Sequence, residues 1–204
     1  SKALSIIMPS QQSARNWLKA SSVPDDATKL PIILLPTTAG TGSELSFGAI
    51  LSDRENSFKG GLRGPKLAAE IAIVDPSLTL TMPRQLTIET GFDIVTHAIE
   101  SYLSHNTNSQ ARMLSLQAIT LVVNYLPQIQ NDLTHQEART ALAYASSIMG
   151  LNLASVGTCL PHRLQYPIGG FLPNSSHPQG LAWIYPTWIK FIYPHVTQDI
   201  HHLF

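Results

Sequence analysis

The chain has 204 residues, enough for one large or two small domains with a substantial core. Lys plus Arg and Asp plus Glu number 13 each, so no basic surface points to nucleic acid or anionic lipid. Charged residues make up only 13% against 44% hydrophobic, and we expect part of so uncharged a surface to be covered, by a partner subunit as in a homo-oligomer or by missing pieces of the same protein. The single cysteine, Cys159, excludes an intrachain disulfide and any Cys-rich metal site. It fits a reducing compartment and is read as a small core residue, so a cytoplasmic location is expected. The first residues have no signal-peptide layout, and no targeting segment is expected there.

Residues 1–20 read as a helical stretch broken at Pro9, followed by a polar loop over 22–29. An apolar run at 30–35 predicts a buried strand feeding the sequence Pro-Thr-Thr-Ala-Gly-Thr-Gly-Ser-Glu at 36–44. A second strand is expected at 47–51, a loop over 52–65, and a third strand at 70–74 that ends in Asp75-Pro76. From Thr81 the hydrophobic period becomes helical. Pro83 sits where a helix can begin, and the pattern runs to Leu103. Further helices are predicted at 110–125, 136–153, 162–169 and 177–192, with turns at 106–108 and 131–132. The uncharged window 141–160 carries serines, Thr158, Asn152 and two glycines, so it reads as a buried core helix rather than a membrane span. The fold class is therefore α/β over 1–79, followed by an all-α domain over 80–204.

Two places carry chemistry. In the run at 36–44, glycines allow close backbone approach and hydroxyls with free N–H groups can cradle phosphate or ribose, although an ordinary Gly-rich turn has the same composition. It is neither a Walker loop nor the Gly-x-Gly-x-x-Gly fingerprint. Asp93 and His97 stand four residues apart, one helical turn, and project from the same face. An exposed pair at that spacing would contribute only a few tenths of a kcal/mol. These two, however, lie among Phe92, Ile94, Val95, Ala98 and Ile99, where an unpaired carboxylate is costly, and no Lys or Arg follows Arg84 in that helix. A cation whose remaining ligands come from other side chains would neutralise it; two more histidines, His162 and His177, follow later in the chain, and nitrogen and carboxylate ligands without thiolate suit Fe(II), Zn(II), Mn(II) or Ni(II).

The Thr-rich loop at 36–44, Asp-Pro at 75–76, Gly-x-Asp-x-x-Thr-His-Ala-Ile-Glu at 91–100, and the paired His162 and His177 together resemble the iron-dependent (group III) alcohol dehydrogenases, in the same order. The resemblance spans about residues 1–192 and implies the dehydroquinate synthase-like architecture, in which an α/β dinucleotide-binding domain and a helical domain hold a divalent metal in the cleft between them. It implies Asp93, His97, His162 and His177 as metal ligands, with Fe(2+) the expected ion and Zn(2+) or another divalent metal possible. It places Thr37, Thr38, Thr41 and Lys59 at the NAD or NADP cofactor. The implied function is hydride transfer between the dinucleotide and a small alcohol, aldehyde or ketone, with the metal as Lewis acid.

Two positions depart from the family pattern. Many members carry a second histidine, often given a proton-relay role, where this chain has Tyr166, which makes Tyr166 the candidate catalytic residue. Its hydroxyl hydrogen-bonds but takes up a proton less readily than imidazole. His177 is followed by Pro178 where His-Gly is common, which a first helical turn tolerates. The family's Gly-Gly-Gly-Ser loop lies upstream of the segment that residues 1–4 resemble, so a fragment from roughly the middle of a full-length enzyme is expected. Two other readings stand beside this one: a truncated, inactive metal-binding remnant, and a glycerol dehydrogenase-like branch of the fold. Glu100 could orient a ligand histidine or merely cap a polar face. Trp183, Tyr185, Trp188 and Phe191 read as core or cleft cover, and His105, His135, His195, His201 and His202 as solvated.

Overall fold

A computed structural model describes residues 1–203. Helices α1 (Lys2–Ser10) and α2 (Ala14–Ala20) replace the single broken stretch expected at the start. Pro9 lies inside the last turn of the first, which ends at Ser10 with Gln11 in a left-handed conformation, and the Ser13 hydroxyl accepts from the Asn16 N–H to cap the second. Strands β1 (Ile33–Leu34) and β4 (Ile71–Ala72) pair in parallel, Ile33 opposite Ile71. Both are shorter than the runs expected for them, because only this stretch finds a partner, and the strand expected at 30–35 is not buried: Leu30, Ile33 and Leu35 are exposed.

Strand β2 (Gly48–Asp53) pairs antiparallel with β3 (Phe58–Arg63), Gly48 opposite Arg63 and Asp53 opposite Phe58. The loop expected over 52–65 is thus corrected: it contains the second arm of a hairpin. Two glycines hide β3 from any propensity argument. A Cβ at Gly61 would lie 2.9 Å from Ile50 Cδ1 and one at Gly60 2.7 Å from the Phe58 ring, both ends of exposed side chains that can turn aside. Leu62 anchors the strand in a small core with Ala3, Ile6, Trp17, Val23 and Leu67.

The larger core is helical. Helices α3 (Arg84–Leu103), α4 (Ser109–Asn131), α5 (Gln136–Ser155), α6 (Leu160–Phe171) and α7 (His177–Leu203) follow one another. Ile94, Ala98, Met149, Leu181 and Trp188 meet in their common interior. Gly91 is mid-helix because a Cβ there would press 2.9 Å from Leu126 on α4. Helix α4 continues through Pro127, six residues beyond the predicted end, to Asn131. Helix α7 runs past Ile192 with a break at Val196 (φ −134°, ψ 27°). No described helix is long and apolar enough to cross a membrane.

The start of α3 is held from α5. Arg139 is buried and donates to Thr87 Oγ1 at 3.0 Å, to the Met82 carbonyl at 3.3 Å and to the Leu133 carbonyl at 3.0 Å. Arg139→Met would strip donors from these acceptors and should cost roughly 3 kcal/mol, given about 1–3 for each buried group left unpaired. A urea midpoint for Arg139→Met equal to that of the parent chain would refute this.

Candidate metal centre

Three helices deliver the site. Helix α3 presents Asp93 and His97 one turn apart, α6 presents His162 in its first turn, and His177 opens α7. Pro178 fits there because the first helical turn needs no backbone donor. Asp93 is 3% exposed, and its Oδ1 lies 3.6 Å from His97 Nδ1, 3.6 Å from His162 Nε2 and 3.5 Å from His177 Nε2. The rings of His97 and His162 have centroids 4.2 Å apart, and those of His162 and His177 5.2 Å. One ligand atom each of Asp93, His162 and His177 falls within 4.8 Å of the others; His97 joins through its approach to Asp93 and lies outside that trio.

Asp93 Oδ1, His97 Nδ1 and His162 Nε2 are buried with no hydrogen-bond partner among the described residues. Orphaned polar atoms of this kind are rare in folded proteins, and here they converge on one point. A divalent cation fits the donor set: one carboxylate oxygen and imidazole nitrogens, with no thiolate.

Electrostatics agree with the geometry. Burial alone would raise the Asp93 pKa, yet the imidazoles of His97, His162 and His177 outweigh it and hold the carboxyl well below its usual range. Burial drives His97 down to about 4, against the pull of Asp93. At His162 burial also disfavours the charged form, but Glu100 and Asp93 prevail and raise it to about 9. A proton on His162 thus stands in for positive charge that a metal ion would supply.

Glu100 settles one open reading. Its carboxylate is fully buried and accepts from the Cys159 N–H at 2.6 Å and from Tyr185 Oη at 3.0 Å, and it pairs with His162 Nδ1 at 2.6 Å. It therefore orients His162 from the far side of the ring and leaves Nε2 to face Asp93. Cys159, half-buried as the N-cap of α6, has its thiol pushed up to about 11 by burial and by Glu100, which makes it a poor nucleophile.

The cleft beside these residues measures about 790 Å³ and is lined by Thr37, Thr41, Lys59, His97, His162, Tyr166 and His177 among others. Thr38 is exposed and does not line it. Thr41 Oγ1 donates to Asp93 Oδ2 at 3.3 Å, a contact its place in the loop did not reveal. The loop is seated by Gly42, whose φ of 62° and closeness to Ser146 and Gly150 leave no room for a side chain. Gln165, which sequence reasoning passed over, is fully buried and accepts from Lys59 Nζ at 3.1 Å. Burial lowers the Lys59 pKa, partly offset by Asp93. No local pattern in His-Arg-Leu-Gln-Tyr marks that glutamine.

Residues 87–203 match the Fe-containing alcohol dehydrogenase family, C-terminal, and residues 1–76 match iron-containing alcohol dehydrogenase. Choline dehydrogenase of Bacillus subtilis (strain 168) is 36% identical over 152 residues, covering 74% of this chain and 38% of that protein. An iron-containing alcohol dehydrogenase from Thermotoga maritima superposes with a TM-score of 0.87 at 28% identity, over 99% of this chain and 54% of that one. Sulfoacetaldehyde reductase from Bifidobacterium kashiwanohense, solved in complex with NAD+, gives 0.86 at 27% identity, over 100% and 55%. The chain thus spans less than half the length of the curated relatives it matches, 38% for the B. subtilis enzyme.

Proposed function

The chain belongs to the iron-containing alcohol dehydrogenase family, and from that premise we propose that it carries the metal-holding part of an NAD-linked oxidoreductase acting on a small alcohol, aldehyde or ketone. One observation supports this reading above the rest: Asp93 Oδ1 and the nitrogens of His97, His162 and His177 converge within 3.6 Å of that oxygen, while Asp93 Oδ1, His97 Nδ1 and His162 Nε2 have no other partner among the described residues. These four residues would hold the ion, Fe(2+) by family, with Zn(2+) or another divalent metal also suiting the donor set. When bound, the metal supplies Lewis acidity toward the substrate oxygen and the nicotinamide exchanges hydride.

The chain's own residues do the rest. Thr37, Thr41 and Lys59, which line the cleft, are assigned to the dinucleotide side, with Thr41 also steadying Asp93, and the exposed Thr38 is left out of that set. Tyr166 follows His162 by one turn on α6 and lines the same cleft, so its hydroxyl is the group we assign to passing the alcohol proton toward solvent. Glu100 fixes the ring of His162. We assign residues 1–79 to the α/β dinucleotide-binding unit and 80–204 to the helical unit, in keeping with the two separate apolar clusters. Exposed Phe171 and Phe191 favour a homo-oligomer, and the lone cysteine favours the cytoplasm.

A full-length protein containing this segment, incubated anaerobically with Fe(II), should oxidise NADH in the presence of a short-chain aldehyde and lose that rate when a chelator removes the ion. A rate that survives complete metal removal, or none in metal-loaded protein, would contradict the proposal.

A further inference from the structure

Lys59 and Gln165 join the hairpin to helix α6 by a side-chain hydrogen bond. Lys59 sits on β3 near the tip of the hairpin, and Gln165 on α6, three residues after His162. Gln165 is 0% exposed; its Oε1 accepts from Lys59 Nζ at 3.1 Å, and its Nε2 has no partner among the described residues. Glycines make the fit possible. A Cβ at Gly169 would lie 3.0 Å from Lys59 Nζ and 3.1 Å from Gln165 Nε2, and one at Gly180, on α7, 3.0 Å from Gln165 Cγ. The amide is therefore wedged where hairpin, α6 and α7 meet, and the latter two helices carry His162 and His177.

We propose that Gln165 is a positioning residue that ties the Lys59 hairpin to the helix pair bearing His162 and His177, so that loading the metal centre stiffens the hairpin wall of the cleft. This rests on the metal reading above. Metal binding restrains α6 and α7 through their histidines. A buried amide bridging to Lys59 passes that restraint to β3, whose other side is held by its ladder with β2 and by the Leu62 core, and which otherwise meets α6 through backbone contact at Ser57 and Gly170.

Hydrogen–deuterium exchange of the chain with and without one equivalent of Zn(2+) tests this, comparing the parent with Gln165→Met, Gln165→Asn and Lys59→Met. In the parent, zinc should slow exchange in α3 and α6 and also, on the order of threefold, in residues 58–63. In all three variants α3 and α6 should keep their zinc protection while the zinc effect on 58–63 disappears. A purely structural glutamine would raise exchange equally with and without metal, leaving the zinc-dependent difference intact, and that result overturns the inference. So does a Gln165→Met protein that keeps the effect while Lys59→Met loses it, since charge alone would then link Lys59 to Asp93. Because Gln165→Asn keeps an amide too short to reach Lys59, it decides the matter if the methionine variant fails to fold. Absence of zinc protection in α3 of the parent overturns the metal reading itself, and this inference with it.

Discussion

Asp93→Asn should lower the affinity for a divalent metal by on the order of 100-fold or more, while the metal-free protein keeps its fold. The substitution conserves shape and leaves an oxygen for Thr41 Oγ1, which now stands 3.3 Å from Asp93 Oδ2. What it removes is the one carboxylate oxygen that lies within 3.6 Å of His97, His162 and His177 alike. Removing one partner of a buried charge set costs about 3–5 kcal/mol, and each 1.4 kcal/mol is a factor of ~10 in binding. The metal-free fold should tolerate the change because it conserves the side-chain volume and the contact with Thr41. Competition against a chelator of known affinity measures the effect. Equal metal retention by parent and variant would remove Asp93 from the site.

Gly42→Ala should be the most destabilising single-methyl substitution in the chain, at roughly 3 kcal/mol or more from the left-handed backbone and overpacking together. Gly42 has φ 62°, and a Cβ there would stand 2.1 Å from the Ser146 carbonyl oxygen and 2.5 Å from the Gly150 nitrogen. Both are backbone atoms of α5, so no rotamer change relieves the clash. The Gly42 N–H also donates to Ser146 Oγ at 3.0 Å, a bond that displacement of the loop would break. Gly150→Ala meets the same contact from the other side, with its Cβ 2.1 Å from the Gly42 carbonyl oxygen. The two changes should therefore be markedly less than additive in combination. Thermal melts of the single and double variants check this; a Gly42→Ala protein that melts with the parent would show that the loop is not seated as described.

The residues that carry the centre were legible where a periodic element presents them. Asp93 and His97 share a helical face by their spacing alone, and their apolar neighbours argue that the face is inward; the structure buries both. The helices were legible for the same reason, with errors confined to their ends, as at α4, where Pro127 does not stop the helix. Strand β3 was not. Its Phe-Lys-Gly-Gly-Leu-Arg sequence has weak strand propensity, and what makes it a strand is pairing with β2 and the burial of Leu62. Contacts that bridge elements were also hidden. Glu100 lies three residues from His97 in sequence, but its partner is His162, delivered by another helix. Gln165 and Thr41 acquire their meaning only when β3 and the 36–44 loop fold onto the helices.

Elemental analysis is the most direct test of the centre: the purified chain after anaerobic incubation with Fe(II) or Zn(II), beside a His97→Ala/His177→Ala double variant whose circular dichroism matches it. The arrangement of Asp93 and the three histidines predicts close to one metal per chain in the parent and essentially none in the variant. Equal metal in both, or none in the parent, would contradict it.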